Sequence, residues 1–244
     1  MKRLYILFGL LALVLLAYCF KPYLWAAISP LAMKFTKSKT VAERLDQFGG
    51  AARERWRPFF DKAQVPYPPS EVKLVGLKSE QVLQVYAADK TGSNRWIRTY
   101  PILAASPYPG PKLREGDGQV PEGVYSVESL NPNSRFHVAL RIGYPNAFDR
   151  AQAVKEGRTQ LGGDIMIHGS SVSVGCLAMG DEPAEDLFVL AADVGLTNMT
   201  VIISPVDFRL GKQVPKQAKL PEWTGELYAQ IRAQLSPLPS ETTK

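Results

Sequence analysis

Residues 164–181 read DIMIHGSSVSVGCLAMGD. A short apolar run ends on a histidine-glycine pair, a polar loop follows, and a glycine-cysteine pair leads into a second apolar run. Alternation in DIMIHG places Asp164, Met166 and His168 on one face of a strand, with Ile165 and Ile167 on the buried other face. Gly169 lets the chain turn, and SSVSV is long enough to return Cys176 over His168. The chain holds only two histidines and two cysteines, so placing one of each here calls for a reason. A thiol attacks carbonyls only as thiolate, and a free cysteine titrates near pH ~8.5. An imidazole that takes the thiol proton is the arrangement of cysteine acyl transfer. Gly175 would let backbone approach a substrate closely, leaving amide N–H groups free for an oxyanion. Spacing alone leaves two plainer readings open: an inert core thiol, and a histidine satisfied within a strand.

Outward from this stretch, turn residues separate short runs rich in Val, Ile and Tyr: VKLVGL, QVLQVYAA, WIRTYPILAA, GVYSVESL, FHVALRI and MTVIIS. They predict a mainly β body over about 72–206 with flanking helices. One helix is expected to interrupt it after Asp181, read as an N-cap, with Leu187, Leu190, Ala191 and Val194 on one face. Upstream, residues 40–64 read as a helical spacer. Thr40 is a candidate N-cap with Glu43 three residues on, and Gly49-Gly50 is expected to split the segment into two short helices. Residues 207–244 read as a C-terminal extension carrying a short amphipathic helix in PEWTGELYAQIRAQL.

The net charge is +6, and the whole excess lies in residues 1–70, while the remainder nets −1. That distribution excludes a nucleic-acid footprint on the body. Residues 1–21 open with Lys2 and Arg3 and continue through seventeen uncharged residues, Leu4 to Phe20. Such a run spans roughly 25 Å as a helix, so it reads as a signal peptide or a signal anchor. If it is uncleaved, it is the membrane contact. Lys21, Lys34, Lys37 and Lys39 oppose simple export by the positive-inside rule, and Tyr18 argues against lipidation at Cys19. Two cysteines, one of them in this leader, form no disulfide framework. Two histidines and one cysteine without closely spaced ligand pairs do not make a zinc site. No G-x-S-x-G occurs either, so a serine hydrolase of that type is excluded.

The segment Ile167-His168-Gly169 followed by Ser173-Val174-Gly175-Cys176 resembles the catalytic motif of the L,D-transpeptidase (YkuD-type) family. That motif runs from a histidine-glycine through a loop to Ser/Thr-His-Gly-Cys. The short loop and Val174, in place of the second histidine, resemble the YafK-like branch. The likeness extends upstream through SPYPGPKLREGDGQVPEGVYSVESLNPNSRFHVALRIGYPNAFDR, where Pro121-Glu122-Gly123 stands for the family's T-P-x-G. It covers roughly residues 72–206.

The resemblance implies the YkuD-type β-rich fold, Cys176 as nucleophile and His168 as base. Ser173 is then a local hydrogen-bonding residue, Gly169 the turn after the base, and the Gly175 and Cys176 amides the oxyanion donors. No metal or organic cofactor is implied. The implied substrate is a peptidoglycan stem peptide, which requires export to the periplasm or anchoring that faces it. Transfer to an amine and hydrolysis share this chemistry; hydrolysis would release cross-links or a wall-attached lipoprotein. A non-catalytic wall-binding domain is the reading from another class. Lys112, Arg114, Asp117, Arg135, His137 and Tyr144 are weaker candidates for contacts with the substrate's carboxylates.

Overall fold

The computed structural model describes residues 38–106, 108–215 and 220–240. These fall, from Thr40 onward, in one compact unit. The apolar leader and Cys19 lie outside the described residues. Among the described residues, no helix is long and apolar enough to cross a membrane.

The body is a single eight-stranded sheet with helices on both faces, which is the mainly β architecture expected. Its strands are β1 (Val72–Leu77), β2 (Val82–Ala88), β3 (Asn94–Pro101), β4 (Gly123–Ser134), β5 (His137–Ile142), β6 (Met166–His168), β7 (Leu177–Ala178) and β8 (Met199–Ser204). They lie in the order β3-β2-β1-β8-β4-β5-β6-β7. Pairing is antiparallel except between β1 and β8 and between β6 and β7. β1 is buried along almost its whole length, as a strand covered on both faces must be. Its alternate residues serve two cores: Val72 and Leu74 face one, Val75 and Leu77 the other.

The larger core is closed by α1 (Val41–Ala63) and α3 (Asp181–Val194). Thr40 caps α1 through a capping box with Glu43. The helix does not break at Gly49-Gly50: it runs unbroken for 23 residues. The cost of two glycines, about 1 kcal/mol each against alanine, is offset by tertiary packing. Phe48, Ala52, Trp56 and Phe60 are buried in the main core, and Trp56 Nε1 donates to the Asp186 carbonyl at 2.9 Å. Residues 40–64 are therefore not a spacer but a wall of the folded body. The apolar stripe at i, i+4, i+8 and i+12 on an otherwise charged helix is what drives this docking.

The polar side of the same contact is ionic. Asp186 is fully buried and receives Arg55 Nε and the Tyr100 hydroxyl, at 2.7 and 2.8 Å. Arg53 grips Asp193 with two hydrogen bonds at 2.8 and 2.7 Å. The N-cap of α3 is Gly180 rather than Asp181, which leaves the Asp181 carboxylate free for the task described below.

Two elements were not expected. α2 (Ala147–Lys155) follows β5 and is closed by a capping box between Asn146 and Asp149; β7 is only two residues long. The C-terminal helix α4 (Thr224–Leu235) packs Leu227, Ile231 and Leu235 over Val75, Leu77 and Ile202 on the second face.

Candidate active site

β6 sits between β5 and β7, with Ala139 and Ala178 as the cross-strand partners of His168. β7 is gripped on its other side too: Leu103 N donates to Ala178 O at 2.8 Å, and Ala178 N to Ala104 O at 2.9 Å. Ile167 pairs with Leu177, and both are fully buried in the main core. Parity along a strand then turns His168 and Ala178 to the opposite face. Cys176 immediately precedes β7, in the turn closed by Ser173. The register thus sets the strand that ends on His168 beside the strand that Cys176 immediately precedes.

His168 is almost completely buried and stacks on Phe136 with ring centroids 4.6 Å apart and an interplanar angle of 23°. Its Nδ1 lies 2.6 Å from the Gly169 carbonyl. A carbonyl only accepts, so Nδ1 carries the proton and Nε2 the lone pair. That Nε2 is buried and has no hydrogen-bond partner. Burial holds the imidazole below its ordinary pKa, against the pull of the Gly169 carbonyl.

Cys176 is half-buried and its thiol is free. The Sγ donates to the Asp164 carbonyl at 3.6 Å. Burial pushes the thiol pKa up, while the Met166 amide and the Lys112 ammonium act downward and the Asp164 carboxylate acts upward. The resting pair is therefore a neutral thiol and a neutral imidazole.

Ser173 and Cys176 form a closed local ring: the Cys176 amide donates to Ser173 Oγ at 2.9 Å, and that hydroxyl donates to the Cys176 carbonyl at 2.8 Å. This corrects the expected pair of oxyanion donors. The Cys176 amide is already engaged, because Ser173 lies three residues back in a tight turn. The Gly175 amide has no such partner among the described residues. Gly175 holds φ +89° and lies against the 118–119 backbone, where an added Cβ would sit 3.3 Å from the Gln119 carbonyl.

Gly169 is required by close approach. A Cβ there would fall 2.6 Å from Asp181 Oδ1 and 2.7 Å from the Phe136 carbonyl. Asp181 in turn accepts from the Ser170 amide at 2.8 Å, pinning the turn after the histidine to the first residue of α3. The sequence reading missed both Phe136 and Asp181 as parts of this site. Phe136 immediately precedes β5, the neighbour of β6; Asp181 had been assigned to capping.

The weaker candidates separate. Lys112 and Asp117 form an ion pair at 2.7 Å that is almost wholly buried, so neither is a solvated surface charge. Arg114 is exposed and lines a groove of about 780 Å³ with Tyr108, Gln119 and Arg158. Arg135 is exposed at the β4–β5 turn. His137 is neither free in a cleft nor facing solvent: its Nε2 lies 2.8 Å from Glu185 Oε1 of α3, and its ring packs on Phe48 of α1. Tyr144 is buried, its hydroxyl lying 3.4 and 3.3 Å from the carbonyls of Lys112 and Leu161, which share its one proton. Among the described residues, no cluster of His, Cys, Asp and Glu could hold a metal ion.

Comparison with known proteins places these residues in context. The L,D-transpeptidase catalytic domain (YkuD) profile matches residues 72–203, more than half of the chain. The provisionally named L,D-transpeptidase YafK of Escherichia coli, in strains K12 and O157:H7, is 40% identical over 122 residues, which are 49% of this chain and 46% of the relative. The chain thus spans about half the length of these curated relatives. The helical cell shape determining protein Pgp2 of Campylobacter jejuni is similar at 22% identity and a TM-score of 0.47, over 60% of this chain and 50% of that one. L,D-transpeptidase 1 of Mycobacterium tuberculosis is 16% identical at a TM-score of 0.32, over 55% and 62%.

Proposed function

We propose, from the premise that this chain belongs to the YkuD family of L,D-transpeptidase catalytic domains, that it is a cysteine acyl-transfer enzyme acting on peptidoglycan stem peptides. One observation carries the reading. His168 ends β6 and Cys176 immediately precedes β7, its parallel neighbour, while the Gly169 carbonyl fixes the imidazole tautomer so that Nε2 is the available base.

The chemistry follows from that geometry. When a stem peptide enters, Nε2 takes the thiol proton and the thiolate attacks the carbonyl of the L-centre of a diaminopimelate next to a D-residue. The tetrahedral oxyanion finds the unpartnered Gly175 amide. Collapse breaks the C–N bond, and the imidazolium returns its proton to the departing amine, leaving a thioester on Cys176. An incoming amine then yields a cross-link or a protein attachment; water yields a cleaved stem and a free carboxylate. Val174, where the resembled motif carries a second histidine, is 90% exposed and brings no proton-transfer group. One imidazole therefore serves both half-reactions. A substrate outside the cytoplasmic membrane requires export, and the apolar leader at residues 4–20 is suited to it.

The test is to incubate purified protein with a carbapenem and with defined muropeptides, with and without an added amine, and to weigh the products. An adduct at Cys176 with amine-dependent products supports transfer. An adduct with hydrolysed stems alone selects the amidase reading, in which release of a wall-attached lipoprotein is the matching activity. A folded protein that forms no adduct and no product is a binding module, and the proposal fails.

A further inference from the structure

The neutral resting pair poses a problem that the catalytic residues do not solve. A thiolate needs a positive charge close by, yet burial works against protonation of His168. No second histidine stands beside Cys176, because that position is Val174 and faces solvent. The charged groups that bear on Cys176 come from two elements. Asp164, two residues before β6, is exposed and paired with Arg141 Nη1 at 2.9 Å. Lys112 comes from the loop that precedes β4.

That loop is built around the lysine. Asp117 accepts from Lys112 Nζ at 2.7 Å and from the amides of Leu113, Arg114 and Gln119 at 2.8, 3.0 and 3.1 Å. The Arg114 carbonyl takes a second N–H of the ammonium at 2.9 Å. An ammonium has three N–H donors, so one is left over, on a residue only 7% exposed. The same turn abuts the nucleophile's segment, with the Gln119 carbonyl 3.3 Å from the Cβ position of Gly175. The Tyr144 hydroxyl lies 3.4 Å from the Lys112 carbonyl. The whole turn is tied down by a fully buried ion pair, Lys78 to Glu122 at 3.0 Å, in which Lys78 Nζ also donates to the carbonyls of Gly110 and Val120.

We infer that Lys112 is a positioning residue of the site: a buried ammonium, held by Asp117, that stabilises the Cys176 thiolate in the place of a second imidazole. The proton itself still goes to His168 Nε2; Lys112 supplies charge and moves no proton. This rests on Cys176 being the nucleophile, but its test needs no substrate.

The rate of Cys176 alkylation by iodoacetamide is followed against pH in the full chain, wild type and variant. Lys112→Met is expected to raise the midpoint by about one pH unit, which is about tenfold slower alkylation at neutral pH. Lys112→Arg keeps the charge and is expected to restore most of the shift. Asp117→Asn removes the neutralising carboxylate and is expected to move the midpoint down, which preserves the test if Lys112→Met does not fold. A merely structural lysine would change exposure of the thiol, and thus the plateau rate, without moving the midpoint. Midpoints unmoved in the folded variants overturn the inference. A shifted midpoint in a protein that turns over no stem peptide would uphold the role of Lys112 and sink the proposed reaction instead.

Discussion

The Nδ1 of His168 donates across 2.6 Å to the carbonyl of the next residue, Gly169. That carbonyl is held because the glycine is wedged between Asp181 Oδ1 and the Phe136 carbonyl. The orientation of the proposed base is thus decided by a backbone atom, and the backbone by a residue without a side chain.

Gly169→Ala tests this directly. The added methyl meets oxygens 2.6 and 2.7 Å away, so the turn must shift, at a cost of about 1–3 kcal/mol. Movement of the carbonyl misaligns the imidazole, and turnover is expected to fall by about a hundredfold, as a misplacement on the order of 1 Å does. Steady-state kinetics beside a thermal melt separates the two effects; a large loss of stability with unchanged kcat would contradict the role given to the carbonyl.

His168→Ala is expected to lower the rate by about two to four orders of magnitude without unfolding the protein. In the wild type, burial lowers the imidazole pKa, so the neutral base persists to more acidic pH than a free histidine would allow. The acid limb of kcat/KM, reporting the coupled thiol–imidazole pair, should lie below the ordinary histidine value. A limb at or above that value would show that another group accepts the proton.

Asp149 gives a stability signature. Burial pushes its carboxyl up to about 6, against the Asn146 amide and other donors. The folded protein therefore holds this proton more tightly than the unfolded chain. Its contribution is fully present below the unfolded carboxyl pKa and is lost as pH rises through about 6. Denaturant titrations across that window should show stability falling with pH, and Asp149→Asn should flatten the slope. An unchanged slope in a folded variant assigns it to other groups.

Helix α1 is expected to be indispensable. Trp56 is fully buried against Phe60 and Tyr100, and Trp56→Ala should cost about 3–5 kcal/mol, read as a lower denaturation midpoint. Removing residues 40–64 should abolish cooperative unfolding, since the main core would lose one wall. A truncated chain that melts cooperatively near the intact protein would restore the reading of this segment as a spacer.

The strands other than β7 were legible in the sequence because short runs rich in Val, Ile and Tyr between turn residues are a local signal, and so was the buried face of α3. His168 and Cys176 were legible as residue types and as a motif, not as a geometry. Other features escaped because their causes are not local. The Gly49-Gly50 break was read from propensity, which about 2 kcal/mol of glycine cost supports and the burial of Phe48, Ala52, Trp56 and Phe60 overrides. Helix α2 was missed although Asn146 and Asp149 carry its capping box.

The sequence by itself determined the mainly β body, the family likeness and the two residues on which the proposed chemistry turns, because run composition, turn residues and motif are written along the chain. Only the tertiary structure decided that residues 40–64 wall the core, that the Cys176 amide is engaged by Ser173, and that Lys112 is buried against Asp117. Those outcomes depend on which surfaces, far apart in sequence, lose water together, and no local pattern encodes that.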